Sequence, residues 1–202
     1  MITLDCEQYS EEWFAARVGI PSASSFDKIV TAKGEPSKQS KDYLYGLAGE
    51  RLTGIKTETY SNANMQRGLM LEAEARDLFQ MVTGIDIHEV GLCYPDDEKR
   101  YSCSPDGINS VEGLEIKSPL IHTHVSYLLA DKLPTKYTQQ VQGSMLVTGF
   151  DRWNFVSYYP GLPPLMIVVE RDEAFIANLE AALEAFNYEL DAVTEQLKIM
   201  EA

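Results

Sequence analysis

Toward the C-terminus, Ile176, Leu179, Leu183, Phe186, Leu190, Val193, Leu197 and Met200 recur three and four residues apart. That stripe predicts one long amphipathic helix over about 172–201. Its apolar face either covers its own domain or, as a heptad seam, meets another subunit. Shorter runs of the same period fill the first third of the chain. Ser10 can cap a short helix through Trp13 and Arg17, because its hydroxyl accepts from an early backbone N–H. A second helix is predicted from near Ser22, carrying Phe26, Ile29 and Val30, and a third over about 40–52, stopped by Gly54. A fourth runs from after Asn64 to about Val82, with Leu71, Ala75, Leu78, Phe79 and Val82 on one face.

The middle of the chain changes period. Segments near 85–94, 101–104 and 114–118 are short and punctuated by Gly, Pro and Asp, as strands and hairpins are. A helix is predicted from Pro134, a favoured first-turn residue, through Gln140 to Val147. Strands over 152–159 and 165–170, joined by a Pro/Gly turn, complete an α/β chain with a central mixed sheet flanked by helices. No repeat, low-complexity tract or linker divides it, so a single domain over 1–202 is expected.

Composition narrows the class. A chain of 202 residues suits one domain, and a hydrophobic fraction of 45% is ordinary for a globular protein. No segment nears the ~18 uninterrupted apolar residues of a membrane span. The N-terminal MITLDCEQYSEEW lacks a basic-then-apolar signal pattern, so a soluble, cytoplasmic protein is expected. Cys6, Cys93 and Cys103 form no Cys-x-x-Cys pair and have no histidine cluster beside them. That argues against a disulfide framework or structural zinc and for buried thiols. His88, His122 and His124 supply no ligand set, although a His-x-His spacing can bind metal; surface or loop roles are expected.

The chemistry gathers at Ser104-Pro105-Asp106-Gly107 and Gly113-Leu114-Glu115-Ile116-Lys117. Pro-Asp-Gly favours a turn that holds the Asp106 carboxylate near a strand end. On the following strand side chains alternate, so Glu115 and Lys117 share one face while Leu114 and Ile116 can enter the core. Each piece alone is common surface decoration. Together they suit phosphodiester hydrolysis. Mg²⁺ takes one or two carboxylates plus waters and substrate phosphate, and Asp106, Glu115 and the Ile116 backbone carbonyl could supply the protein's share. Such a cation polarises phosphate and lowers the pKa of a water it holds. Lys117 can orient the attacking water or stabilise the charge that develops on phosphorus.

Further blocks stand in order around this core: Trp13…Arg17-x-Gly19-Ile20-x-x-Ala23-Ser24, Arg67-Gly68…Glu72-x-x-Ala75, Glu115-Ile116-Lys117-Ser118-Pro119 and Gln140-Val141-Gln142. With them, residues 13–159 resemble the lambda-type phage exonucleases, the viral recombination alkaline exonucleases of the PD-(D/E)xK nuclease superfamily. The resemblance implies a restriction-endonuclease-like core. It implies that Asp106 and Glu115 are the metal-binding acids, Ile116 the carbonyl donor and Lys117 the catalytic lysine. Glu72 matches a helical acid assisting the metal site, and Gln140 a glutamine supporting it. Arg17 and Ser24 match residues that receive the phosphate of a recessed 5′ end. Met65 matches an apolar wedge at the end base pair, with a core methionine as the other reading, and Lys33 could touch the DNA backbone downstream.

The Arg17 and Ser24 assignment also has a physical basis. Ser22, Ser24 and Ser25 fall where a helix would begin, where free N–H groups and hydroxyls bind anions, and plain capping is the competing role for Ser22. Arg17 adds a bidentate fork suited to phosphate. The resemblance further implies digestion of one strand of linear double-stranded DNA from its 5′ end, leaving 3′ overhangs for strand annealing. It implies Mg²⁺, two ions per site with Mn²⁺ as a substitute, a homotrimer ring around DNA, a single-strand annealing protein as partner, and a phage or prophage gene expressed in a bacterial host. An endonuclease on the same core, a non-catalytic DNA-end scaffold and a metal-free acid/base hydrolase are the rivals. The formal net charge of −14 opposes a broad DNA-binding surface. Bound cations, or a basic lining confined to one channel, would reconcile it.

Overall fold

The computed structural model describes residues 1–57 and 63–200, with the side chains of 63–66 outside that description. Its centre is a four-stranded sheet in the order β3 (Gly107–Ile108), β4 (Glu112–Lys117), β5 (Arg152–Ser157), β6 (Leu165–Glu170). β4 and β5 run parallel, with Glu115 beside Phe155, and the other pairings are antiparallel. The sheet is therefore mixed, as expected. A separate pair joins β1 (Ile2–Leu4) to β2 (Leu92–Tyr94).

Strand alternation sorts the core into layers. Leu114, Ile116 and Val156 face α3 (Ala63–Thr83), where they meet Ala75 and Phe79. The opposite face offers Trp153 and Phe155 to a second cluster, built by α2 (Ser40–Thr53), α5 (Thr138–Thr148) and α6 (Glu173–Met200) with Phe26 and Ile29. α1 (Glu11–Ala15) brings Trp13 against Leu92 and Tyr94 in a third. Ser10 caps α1 as predicted, accepting the Trp13 N–H at 3.2 Å. The C-terminal stripe goes into its own domain: Ile176, Leu179, Leu183, Phe186 and Leu190 are buried and Val193 and Leu197 pack against them. Met200, the last of the stripe, is exposed.

Several expectations change. The helix expected from Ser22 is a short 3-10 helix, Ala23–Lys28, and Ser22 makes no side-chain capping bond. The 85–94 strand shrinks to Leu92–Tyr94, with His88 making only an isolated bridge to Ile108. Asp86, His88 and Glu89 are exposed, and a ladder there would need apolar residues to bury. In 101–104, Ser102 and Cys103 make single bridges to Ser22 and Cys93. A turn of 3-10 helix, Thr135–Tyr137, precedes α5. Of the thiols, Cys93 and Cys103 are buried and Cys6 is partly so.

The pattern also gave no element where α4 (Ile121–Ala130) stands. Its apolar stripe is inverted: Ile121, Val125 and Leu129 are exposed while His124 points inward. This corrects the surface role expected of His124, whose relative exposure is 0%. Its Nε2 donates to the Pro163 carbonyl at 3.0 Å and its Nδ1 pairs with the Ser157 hydroxyl at 2.8 Å, so burial is compensated. His88 and His122 are exposed, as expected.

β4 lies flush against β5 because Gly113 has no side chain. A Cβ there would stand 2.3 Å from the ring of Trp153, its register partner, which is wholly buried. Gly113→Ala is expected to lower stability by about 1–3 kcal/mol through overpacking. Urea denaturation of the variant checks this, and an unchanged midpoint would show that the strand pair can yield.

Candidate active site

The Pro105-Asp106-Gly107 turn delivers Asp106 to the edge of β4. The Asp106 N–H donates to the Leu114 carbonyl at 3.1 Å, and its Oδ2 accepts the Ile116 N–H at 2.5 Å. One carboxylate is thus fastened to the strand that carries the other. Glu115 is 1% exposed; its Oε1 accepts from Lys117 Nζ at 2.5 Å and from Gln140 Nε2 on α5 at 2.7 Å. Among the described residues, the buried Glu115 Oε2 has no hydrogen-bond partner. Glu72, on α3, pairs with Arg76 at 2.8 Å, and Arg76 Nε donates to the Asp106 carbonyl at 2.8 Å. Arg76 also pairs with Glu89.

These groups titrate as a crowd. Burial pushes the Glu115 carboxyl up to about 7, with the Asp106 charge adding to it and Lys117 opposing. Glu72 is likewise pushed up to about 7, by burial and then by Asp106. Asp106 is raised by burial against the pull of Lys117 and the Ile116 N–H. Burial works to lower Lys117, but the carboxylates of Glu115 and Asp106 outweigh it and hold the ammonium above the usual lysine range. Acids that resist ionising beside one another are relieved by added positive charge. Among the described residues no three His, Cys, Asp or Glu side chains form a ligand cluster. Two converging carboxylates with an unpartnered buried oxygen nevertheless fit Mg²⁺, which takes few protein ligands.

Beside the acids lies a cradle of hydroxyls. The Arg17 guanidinium stands 4.1 Å from the Trp13 ring centroid and donates to Ser104 Oγ and Ser22 Oγ, each at 3.0 Å. Ser22 and Ser24 hydroxyls lie 3.1 Å apart, and the Tyr43 hydroxyl accepts the Ser22 N–H at 3.3 Å. The anion site expected from free backbone amides is corrected in part. The N–H groups of Ala23 and Ser25 donate to Ser102 and Ser22 carbonyls, so those two are not available to an anion, whereas the hydroxyls and the guanidinium are.

A cavity of about 650 Å³ holds Arg17, Ser24, Asp106, Glu115, Lys117 and Gln140 together. Glu72 lines a smaller adjoining cavity. Ile116 buries its side chain against α3. Lys33 is exposed and lines neither cavity, and the Met65 side chain lies outside the described residues. Ser104 and Tyr43 were not singled out from sequence. Ser104 directly precedes the Pro-Asp-Gly turn, a signal that could have found it; Tyr43 sits on a distant helix and gave none.

The pattern of the YqaJ-like viral recombinase domain matches residues 12–151. The chain belongs to that family. It is 36% identical to an alkaline exonuclease from Laribacter hongkongensis, with a TM-score of 0.86 over 95% of this chain and 98% of the other. The structure of that exonuclease in complex with dAMP gives a TM-score of 0.85 at the same identity and coverage. A phage-related exonuclease from Haemophilus somnus 129PT, 16% identical, shares the fold with a TM-score of 0.68 over 88% of this chain and 96% of its own. No curated protein matches the chain. Family membership assigns a nuclease role, of the recombination type found in phages. No helix among the described residues is long and apolar enough to cross a membrane.

The rear wall of the cavity rests on Glu50, which is 4% exposed and accepts from Lys56 Nζ at 2.8 Å and from the Gly19 and Thr57 N–H groups at 2.9 Å each. Burial alone would raise its carboxyl, but these donors outweigh it and hold it below the ordinary glutamate range. The unfolded chain therefore takes up the proton first as pH falls. The stabilisation is present above about pH 4 and is lost below it. Glu50→Gln is expected to cost about 1–3 kcal/mol at neutral pH and to flatten the acid limb of the stability profile. Thermal melts between pH 3 and 7 test it, and parallel profiles for both proteins would dismiss the assignment.

Proposed function

We propose that the chain is a Mg²⁺-dependent 5′-to-3′ exonuclease that digests one strand of linear double-stranded DNA, leaving 3′ overhangs for phage recombination by strand annealing. One observation carries this reading: a single cavity contains both the Arg17–Ser22–Ser24–Ser104 cradle and the Asp106–Glu115–Lys117–Gln140 group. The cradle suits a terminal 5′-phosphate, and the acids suit the next phosphodiester. The dAMP complex of the Laribacter enzyme supports a site of nucleotide size.

Asp106 and Glu115 would hold Mg²⁺ with the Ile116 carbonyl, Glu72 assisting, and the unpartnered Glu115 Oε2 is the observation that favours it. When bound, Mg²⁺ or its substitute Mn²⁺, as one ion or two, supplies Lewis-acid activation of phosphate and water. The protein's own groups do the rest. Lys117, held as an ammonium, acts as a cation toward the phosphoryl oxygens and not as a base. Gln140 holds the Glu115 carboxylate in place through its hydrogen bond to Oε1. Arg17, with two parallel donors and a ring beneath it, fixes the strand end so that the scissile bond arrives in register. A homotrimer encircling DNA and an annealing protein that takes up the overhang complete the proposal.

Lys117→Ala should lower the rate on linear duplex in Mg²⁺ by about 10²–10³-fold, the usual consequence of losing one charge-stabilising donor. Activity surviving intact would refute the mechanism, and activity in EDTA would refute the metal. On matched linear duplexes, 5′-phosphate ends should be digested about tenfold faster than 5′-hydroxyl ends, given the worth of charge-assisted hydrogen bonds. Equal rates would remove Arg17 and Ser24 from the site, and cutting of closed circles would make the enzyme an endonuclease.

A further inference from the structure

We propose that Tyr9 is a stacking platform for the base of the 5′-terminal nucleotide, an inference that rests on the exonuclease reading above. Tyr9 precedes the cap of α1 with a backbone φ of 68°, a conformation that bulky L side chains rarely adopt and that glycine holds without strain. Burial does not explain the choice of residue, because Tyr9 is 52% exposed. A tyrosine kept in a conformation unsuited to it, with its ring in the open, needs a use for the ring.

The surroundings specify that use. The Tyr9 ring lies 5.1 Å from the Trp13 ring, and Trp13 lies beneath the Arg17 guanidinium, so a column runs from the phosphate cradle outward. The base of the column and the backbone beside Tyr9 are anchored. Trp13 Nε1 donates to the Gly91 carbonyl at 2.9 Å and to Ser104 Oγ at 3.0 Å, and Gln8 Nε2 donates to the Val90 and Pro105 carbonyls at 2.9 and 2.8 Å. Tyr9 lines both cavities, the one with the cradle and acids and the one with Glu72. Partial burial and then the charges of Glu72 and Asp106 raise its hydroxyl, with Lys117 and Arg17 opposing, which places the side chain within the field of both ends of the site. A nucleoside whose 5′-phosphate sits at Arg17 and whose 3′ phosphate sits at Asp106 must lie between those ends, beside Tyr9. Aromatic stacking tolerates every base, so the platform would serve any terminal nucleotide.

The test compares wild type with Tyr9→Phe, Tyr9→Gly and Tyr9→Asn on linear duplexes carrying 2-aminopurine as the 5′-terminal base. Glycine and asparagine both accept the left-handed backbone, so at least one ring-less variant should melt no lower than wild type. Each folded ring-less variant should raise KM about tenfold or more, the usual worth of one base–aromatic stack, with kcat within about twofold. It should also lose the quenching of 2-aminopurine that wild type is expected to show on binding, while Tyr9→Phe keeps both. Unchanged KM and quenching in a folded ring-less variant would overturn the proposal, as would a Tyr9→Phe loss equal to that of Tyr9→Gly. If wild type fails to digest linear duplex from 5′ ends, the exonuclease reading itself falls; if wild type digests and only the Tyr9 effects are missing, that reading stands and the platform falls.

Discussion

Asp106 and Glu115 hold like charges close together where little water remains, and much of the surrounding structure makes that tolerable. The Ile116 N–H serves Asp106, Lys117 and Gln140 serve one oxygen of Glu115, and Arg76 grips the Asp106 backbone while pairing with Glu72. The compensation is incomplete, since Glu115 and Glu72 stay pushed up to about 7. Their folded values exceed their unfolded ones, so ionising them as pH rises toward 7 works against the folded state. A site that costs stability when fully ionised is poised to bind positive charge. The close fit of Gly113 to Trp153 and the parallel β4–β5 ladder supply the rigid frame such a site needs.

On the proposed reading, an acidic protein that works on DNA needs its attraction to be local. The net charge of −14 makes the surface at large repulsive to phosphate. Inside the cavity the balance differs: Arg17, Lys28, Lys56 and Lys117 stand against Asp42, Glu50, Asp106 and Glu115. Cations there match acids one for one, and any bound divalent ion tips the lining positive. The acidity of the exterior then disfavours unproductive binding along the duplex and leaves the cavity as the favoured contact.

Much of this was legible in sequence, and the failures have physical causes. The α6 stripe was readable because most of one face, from Ile176 to Leu190, is buried; α4 was not, because its apolar side faces outward and a polar histidine faces in. Asp106, Glu115 and Lys117 could be read from a turn and an alternating strand, a purely local signal. Gln140, Arg17, Ser24 and Glu72 needed the order of distant blocks, and the fold brings the first three into one cavity with Glu72 next door. Ser104 was hidden inside the turn motif, Tyr43 reaches the cradle from a different helix, and Tyr9 betrays itself only through φ. Strand boundaries around 85–104 failed because isolated bridges, unlike ladders, leave no period to read.

In the proposed mechanism, the covalent chain itself links end recognition to chemistry. Ser104, bonded to Arg17 and Trp13, and Asp106, bonded to Ile116, are separated by one proline. Two residues of chain span at most about 7 Å, and Pro105 removes most of the freedom between them. On the proposed reading, the distance from the bound 5′ end to the reacting phosphate is therefore fixed mainly by bonds, with packing holding the orientation. A site built in this way advances along a strand only by releasing what occupies the cradle. On that reading, a 5′ end is a requirement of the geometry and not a preference of affinity.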